Sequence, residues 1–149
     1  MKRLFILATL VAVGTTVATS PEEPTTRLSS VRTLRCVFTD SNTTHFRDGQ
    51  RTTESESESS KIQYDSINTT AGTARGIGNN KAGDVPVRLG RDGQLTFLEW
   101  SPSGNVFVTT VFPMYAKGTR QFMALSSSHF LTGVLILGQQ ESGLCTVWN

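Results

Sequence analysis

Short runs of alternating apolar and polar residues cover most of the chain after Val31, and turn signals separate them. Residues 61–67 alternate most regularly, with Ile62 and Tyr64 on one side and charged or amide side chains on the other. A period of two predicts strands that bury one face. No convincing helical pattern appears anywhere in the chain. The pattern therefore predicts an all-β domain.

Turn signals indicate how the strands connect. Asp48-Gly49 and Asp92-Gly93 each stand between two alternating runs, which is a strong signal for a tight hairpin. Residues 105–112 are apolar on both faces, as expected for a central strand. Residues 131–141 fit a strand or a buried loop equally. We predict eight to ten short strands in an antiparallel meander.

The two cysteines lie at opposite ends of this domain, Cys36 in the first run and Cys145 in the last. A disulfide between them makes the first and last strands neighbours, because the Cα atoms of a cystine are about 4.4–6.8 Å apart. The meander then closes into a small barrel, which removes exposed sheet edges. A β-sandwich sealed along one seam is the alternative fold. Two separate buried thiols are the alternative to the disulfide.

The first 18 residues have the features of a signal peptide. Met1-Lys2-Arg3 is basic, residues 4–13 are apolar apart from Thr9, and small residues follow. The apolar run is shorter than the roughly 20 residues of a membrane span. We predict cleavage near residue 18, a periplasmic or secreted location and no membrane insertion. Residues 19–30 are expected to be a flexible lead-in to a single β domain over residues 31–149.

Removal of the signal changes the charge balance. The chain has 14 Lys+Arg and 12 Asp+Glu, and loss of Lys2 and Arg3 makes the two counts equal. A neutral chain has no long-range attraction for nucleic acid or anionic lipid. We therefore expect no nucleic-acid partner.

Motifs for catalysis or cofactor binding are weak. The stretch Gly76-Ile77-Gly78 lacks the third glycine and the helix of a phosphate-binding loop. His45 and His129 have no cysteine or carboxylate at zinc-site spacing. Ser127 and His129 would share a strand face, but no serine lies in a Gly-x-Ser-x-Gly elbow. We predict no cofactor, no metal and a protein that is not an enzyme, with a hydrolase as the least favoured alternative.

Aromatic side chains concentrate in the central strands. In a small barrel they either fill the interior or line a cavity for an apolar ligand. We predict a ligand site at Tyr64, Phe97, Trp100 and Phe112. If the interior is filled, the alternative is an interaction or structural protein of the cell envelope. The acidic run of residues 54–60 is predicted to be a solvated loop or an exposed strand edge protected by charge, with binding of calcium or of a basic partner as the less favoured alternative.

Residues 64–79, 95–99 and 102–112 resemble segments of small exported bacterial proteins of unassigned function. The resemblance spans roughly residues 31–149 and includes both cysteines. It implies an extracytoplasmic location and no particular activity. The plan of the domain is similar to that of lipocalin-like and avidin-like barrels. We predict an exported, non-enzymatic β-barrel that binds a small apolar or extended ligand, the partner being a small molecule or an envelope protein.

Overall fold

The computed structural model describes residues 26–57, 59–78 and 82–148. The predicted signal peptide, residues 1–18, lies outside the described residues. A 3₁₀ turn at Leu28–Ser30 is the one helical element in the described part, so no described helix could span a bilayer. Nine strands follow it: β1 (Leu34–Arg47), β2 (Gln50–Glu56), β3 (Ser60–Asn68), β4 (Thr73–Ile77), β5 (Ala82–Leu89), β6 (Leu95–Trp100), β7 (Val106–Tyr115), β8 (Phe122–Thr132) and β9 (Leu135–Val147).

The strands form a closed antiparallel barrel. From β3 to β9 they neighbour one another in chain order, and β1 joins β9 to β3. β1 is long enough to have two partners on one side, with β3 along its first half and β2 along its second half. Eight strands therefore close the barrel, and β2 is an extra strand outside the closed wall. The prediction of an all-β barrel is confirmed, and the sandwich alternative is not what the chain forms.

The disulfide lies at the seam of the barrel. Cys36 on β1 and Cys145 on β9 are directly opposite each other, with their Cα atoms 4.0 Å apart and a sequence separation of 109. Both are buried. The bridge predicted from the sequence is confirmed. Structural disulfides persist in oxidising compartments, which is consistent with an extracytoplasmic location.

Local backbone chemistry sets two details of β1. Asp48 and Gly49 take φ values of 51° and 75°, the two positive φ angles of a type I′ turn, and form the predicted hairpin to β2. A β-bulge at Thr39 interrupts the pairing of β1 with β9. Opposite the bulge, a Cβ on Gly143 would collide with the backbone of Val37 and Phe38, so glycine is required there.

One end of the barrel, called here the apolar end, is filled by hydrophobic side chains. Leu28 and Val31 precede β1 and are buried in the same core as Leu34 and Ile67. The Arg32 guanidinium donates a 2.7 Å hydrogen bond to the Ile67 carbonyl and ties the N-terminal segment down. The expected lead-in, residues 19–30, is described from residue 26 onward, and there Leu28 belongs to the core.

The opposite end, called here the polar end, contains the ends of β1 and β6, the starts of β5 and β7, and all of β2. Its interior side chains include hydroxyls and carboxylates. Thr109 donates to Ser126 across 3.3 Å, and Ser60 donates to Glu141 across 2.8 Å. Residues 131–141, which the sequence left between strand and loop, complete the β8–β9 hairpin at this end. The barrel interior is therefore chemically different at its two ends.

Candidate functional site

The wall of the barrel opens between β5 and β6 at the polar end. The two strands pair only from Val87 and Phe97 to Leu89 and Leu95. Beyond Phe97, β6 continues along β7 alone, while the first half of β5 continues along β4 alone. The diverging strands enclose a cleft of about 600 Å³. Its lining includes Gly76, Asp84, Val85, Leu98, Glu99, Trp100 and Phe107.

Glu99 is the polar group on the inner side of this cleft. It lies on the same face of β6 as the buried Leu95 and Phe97 and is itself half-buried. The Tyr64 hydroxyl donates a 2.9 Å hydrogen bond to Glu99 Oε1. Burial raises the pKa of the Glu99 carboxyl above its ordinary value, and the Tyr64 hydrogen bond partly opposes that shift.

Space for the second carboxylate oxygen comes from a glycine. Gly76 lies opposite Tyr64 in the β3–β4 register. A Cβ at Gly76 would lie 3.6 Å from Glu99 Oε2 and 3.3 Å from Val85 Cγ1. The absence of a side chain at Gly76 therefore leaves space beside Oε2, and the 3.3 Å contact with Val85 is tight enough to disfavour a larger residue.

Tyr64 is held rigidly behind the carboxyl group. Its ring stacks on Phe97 with centroids 3.7 Å apart and planes inclined by 7°, and both rings are fully buried. Burial, followed by the nearby Glu99 carboxylate, raises the pKa of Tyr64 well above its ordinary value. Tyr64 is therefore a neutral donor at physiological pH, and Phe97 fixes its direction.

The outer rim of the cleft is aromatic. Trp100 is 59% exposed. Phe107 packs edge-on against Phe130, with ring centroids 5.2 Å apart. Phe107 is half-buried, whereas Trp100 presents an exposed ring, and an aromatic face next to a carboxylate can hold an apolar body and, through the ring quadrupole, a cation. The cleft therefore combines an apolar wall, a cation-attracting rim and one oriented hydrogen-bond acceptor.

The four residues predicted as a ligand site are divided between two places. Tyr64 and Phe97 lie in the interior behind Glu99, and Trp100 lies at the rim of the same cleft. Phe112 lies elsewhere, on the outer surface of β7, in a groove with an apolar lining. Of the four, Trp100 lines the cleft, Tyr64 and Phe97 are fully buried behind Glu99, and Phe112 lies outside the cleft.

The outer groove that contains Phe112 is built by two β-bulges. Residues between Val111 and Tyr115 form one bulge, against β8, and Thr39 forms the other, against β9. The space between them has a volume of about 590 Å³. The apolar lining includes Phe112, Met114, Met123, Leu125 and Leu144. The groove lacks a buried polar group that would orient a ligand, and for this reason we place the candidate site at Glu99.

The residues considered for hydrolysis do not converge. Ser127 and His129 follow the outward-facing positions of β8, whereas the buried Ser126 and Ser128 face inward. His45 lies on the inner face, 3.6 Å from Glu54, and so is separated from His129 by the sheet. Within residues 26–57, 59–78 and 82–148, no three His, Cys, Asp or Glu side chains are grouped as metal ligands.

Sequence reasoning did not select Glu99 and Gly76 as site residues. The signal for Glu99 is its position two residues after Phe97, which places a carboxylate on the apolar face of a strand. The role of Gly76 depends on which strand lies opposite and has no local signal. Comparison of the chain with protein-family models, curated proteins and solved structures gives no match.

Proposed function

We propose that this protein is an exported ligand-binding barrel and that the cleft between β5 and β6 is its binding site. The ligand is a small molecule with an apolar body and a protonated amine or similar donor group. The apolar body lies against Trp100 and Phe107, and the donor group reaches Glu99. The proposal assigns binding and no reaction.

One observation carries the proposal. Glu99 is a half-buried carboxyl group at the base of an aromatic cleft, and Tyr64 orients it from behind. A binding site typically has apolar walls and a few convergent polar groups, and perturbed pKa values are frequent at such positions. A carboxylate without a ligand there bears a desolvation cost that a cationic donor would relieve.

The test uses the fluorescence of Trp100. The chain has two tryptophans, so the Trp148→Phe variant leaves Trp100 as the single reporter. This background is titrated with 2-phenylethylamine, 2-phenylethanol and 3-phenylpropionate at pH 7. We expect a saturable change with the amine, a weaker response to the alcohol and the weakest response to the acid.

The Glu99→Gln variant separates this site from general hydrophobic binding. It keeps a hydrogen-bond acceptor for Tyr64 and removes the charge, so we expect amine affinity to fall by about tenfold or more. Glu54→Gln, which changes a carboxyl group outside the cleft, is the matched control and should bind normally. The proposal is wrong if no probe gives saturation, or if the amine binds Glu99→Gln and the parent protein equally.

A further inference from the structure

The strand β2 has a long free edge. Among the described strands it pairs only with β1, and all seven of its residues are exposed. Its register with β1 runs without interruption from Arg47 and Gln50 to Ser41 and Glu56. The strand contains no proline, glycine or lysine and no bulge, which are common means of blocking pairing at an edge. Only its charged side chains discourage nonspecific pairing.

The hairpin geometry identifies which backbone groups are free. In the two-residue turn, Arg47 and Gln50 are the first and last turn residues and form a hydrogen-bonded pair. Hydrogen-bonded and non-hydrogen-bonded pairs then alternate along an antiparallel ladder. The N–H and C=O groups of Arg51, Thr53 and Ser55 therefore point away from β1. These three residues form a ready set of donors and acceptors for one more strand.

Side-chain contacts hold this edge in an extended conformation. On one face, the hydroxyls of Thr53 and Thr44 are 3.3 Å apart, and Ser55 donates a 2.6 Å hydrogen bond to Asn42. On the other face, Glu54 lies 3.6 Å from His45. An incoming strand would therefore meet an edge that is already ordered, which lowers the entropic cost of binding.

The charges on β2 indicate the partner. Glu54 and Glu56 occupy alternate positions, so both carboxylates lie on the face that carries His45. Opposite charges placed across neighbouring strands attract, and like charges repel. We propose that the free edge of β2 binds an extended peptide segment of another protein with lysine or arginine at every second position. The segment adds a strand to the sheet, and its basic side chains pair with Glu54 and Glu56.

The test measures binding of a fluorescein-labelled peptide of alternating threonine and lysine by fluorescence anisotropy. A peptide of alternating threonine and glutamate is the charge control. The double variant Glu54→Gln/Glu56→Gln should weaken binding by roughly three- to tenfold, as expected for exposed ion pairs. Glu141→Gln, which changes a carboxyl group on β9, should leave binding unchanged.

A backbone variant tests strand addition separately from charge attraction. Thr53→Pro removes one free N–H at the edge without removing a hydrogen bond to β1, so we expect about a tenfold loss of affinity. Thr53→Ala keeps that N–H and should bind within about twofold of the parent protein. Circular dichroism and the melting temperature verify that each variant is folded.

Three results would overturn the proposal. One is equal binding by Thr53→Pro and Thr53→Ala, which would leave charge attraction without strand addition. Another is equal binding of the lysine and glutamate peptides. The third is a concentration-dependent dimer that Thr53→Pro abolishes and the lysine peptide does not displace, because β2 would then bind a second copy of this chain. None of these results depends on Glu99, so they leave the proposed ligand cleft untouched.

Discussion

The two ends of the barrel are made from the same strands but have opposite interiors. At the apolar end, Leu28, Leu34, Leu95 and Phe122 are buried, and the strands there stay paired. At the polar end, β5 and β6 separate and Glu99 is half-buried in the opening. The difference indicates that close packing at the apolar end stabilises the fold, and that the fold can therefore tolerate an open, polar cleft at the other end.

The largest expected effect comes from opening the seam near the apolar end. Reduction of Cys36–Cys145 releases a loop of 109 positions, for which the chain-entropy model gives about 4–5 kcal/mol. For a domain of this size that loss lowers the melting temperature by roughly 15–25 °C. Melting curves with and without reductant measure the loss. A Cys36→Ser/Cys145→Ser variant is the control and should melt at one temperature in both buffers. Equal melting of the oxidised and reduced parent protein would contradict the prediction.

Truncation of a buried side chain at the apolar end should have the next largest effect on stability. Leu28→Ala creates a cavity in the core and is expected to lower the free energy of unfolding by about 2–4 kcal/mol. Leu131→Ala removes the same atoms from a side chain that is 64% exposed. This control should change the free energy of unfolding by less than about 0.5 kcal/mol. Denaturant unfolding measures both. Similar values for the two variants would show that residues before β1 do not belong to the stable core.

At the polar end, Tyr64→Phe removes one hydrogen bond and leaves the ring stacked on Phe97. We expect the free energy of unfolding to fall by about 1–2 kcal/mol, since the bond is made to a carboxyl group. The pKa of Glu99 should rise further, because the Tyr64 hydrogen bond lowers it. Carboxyl carbon NMR shifts followed over pH measure this pKa. An unchanged or lower pKa in the variant would mean that Tyr64 does not orient the carboxyl group.

The smallest expected effect is a pH dependence of stability that comes from Glu99. Because its pKa is raised in the folded state, the folded protein holds the Glu99 proton more tightly than the unfolded chain does. The contribution to stability is present below the ordinary glutamate pKa and is lost as the pH rises through the raised value. Asp84 lines the same cleft and Tyr64 faces Glu99, so both groups can also affect the pH dependence of stability. The contribution of Glu99 is therefore obtained by comparing the pH dependence of the parent protein with that of variants.

Glu99→Gln should remove this dependence, and Glu56→Gln, at an exposed position, should retain it. The measurement is the free energy of unfolding from pH 3 to pH 8. If Glu99→Gln and the parent protein show the same slope, then Glu99 is not desolvated and the two ends of the barrel do not differ in this respect.

The sequence by itself determined the all-β fold class and favoured a closed barrel over a sandwich. Period-two alternation predicts strands, Asp48-Gly49 predicts a tight hairpin, and a bridge between Cys36 and Cys145 brings the first and last strands together. These signals are local or pairwise, so they can be read from the sequence. Residues 131–141 gave no such signal, because Leu135, Ile136 and Leu137 are consecutive apolar residues. Their strand is defined by its two neighbours, β1 and β8.

Only the tertiary structure decided where the candidate site lies. Phe97 and Phe112 are both aromatic residues of central strands, yet one faces the interior and the other faces the outer surface of a bulged strand. The importance of Glu99 depends on Tyr64 and Gly76, which are more than 20 positions away in the chain and belong to other strands. The alternation along a strand predicts which face of the sheet a side chain lies on. Strand register and bulges determine which residues of other strands it contacts, because a shift of one residue exchanges the two faces.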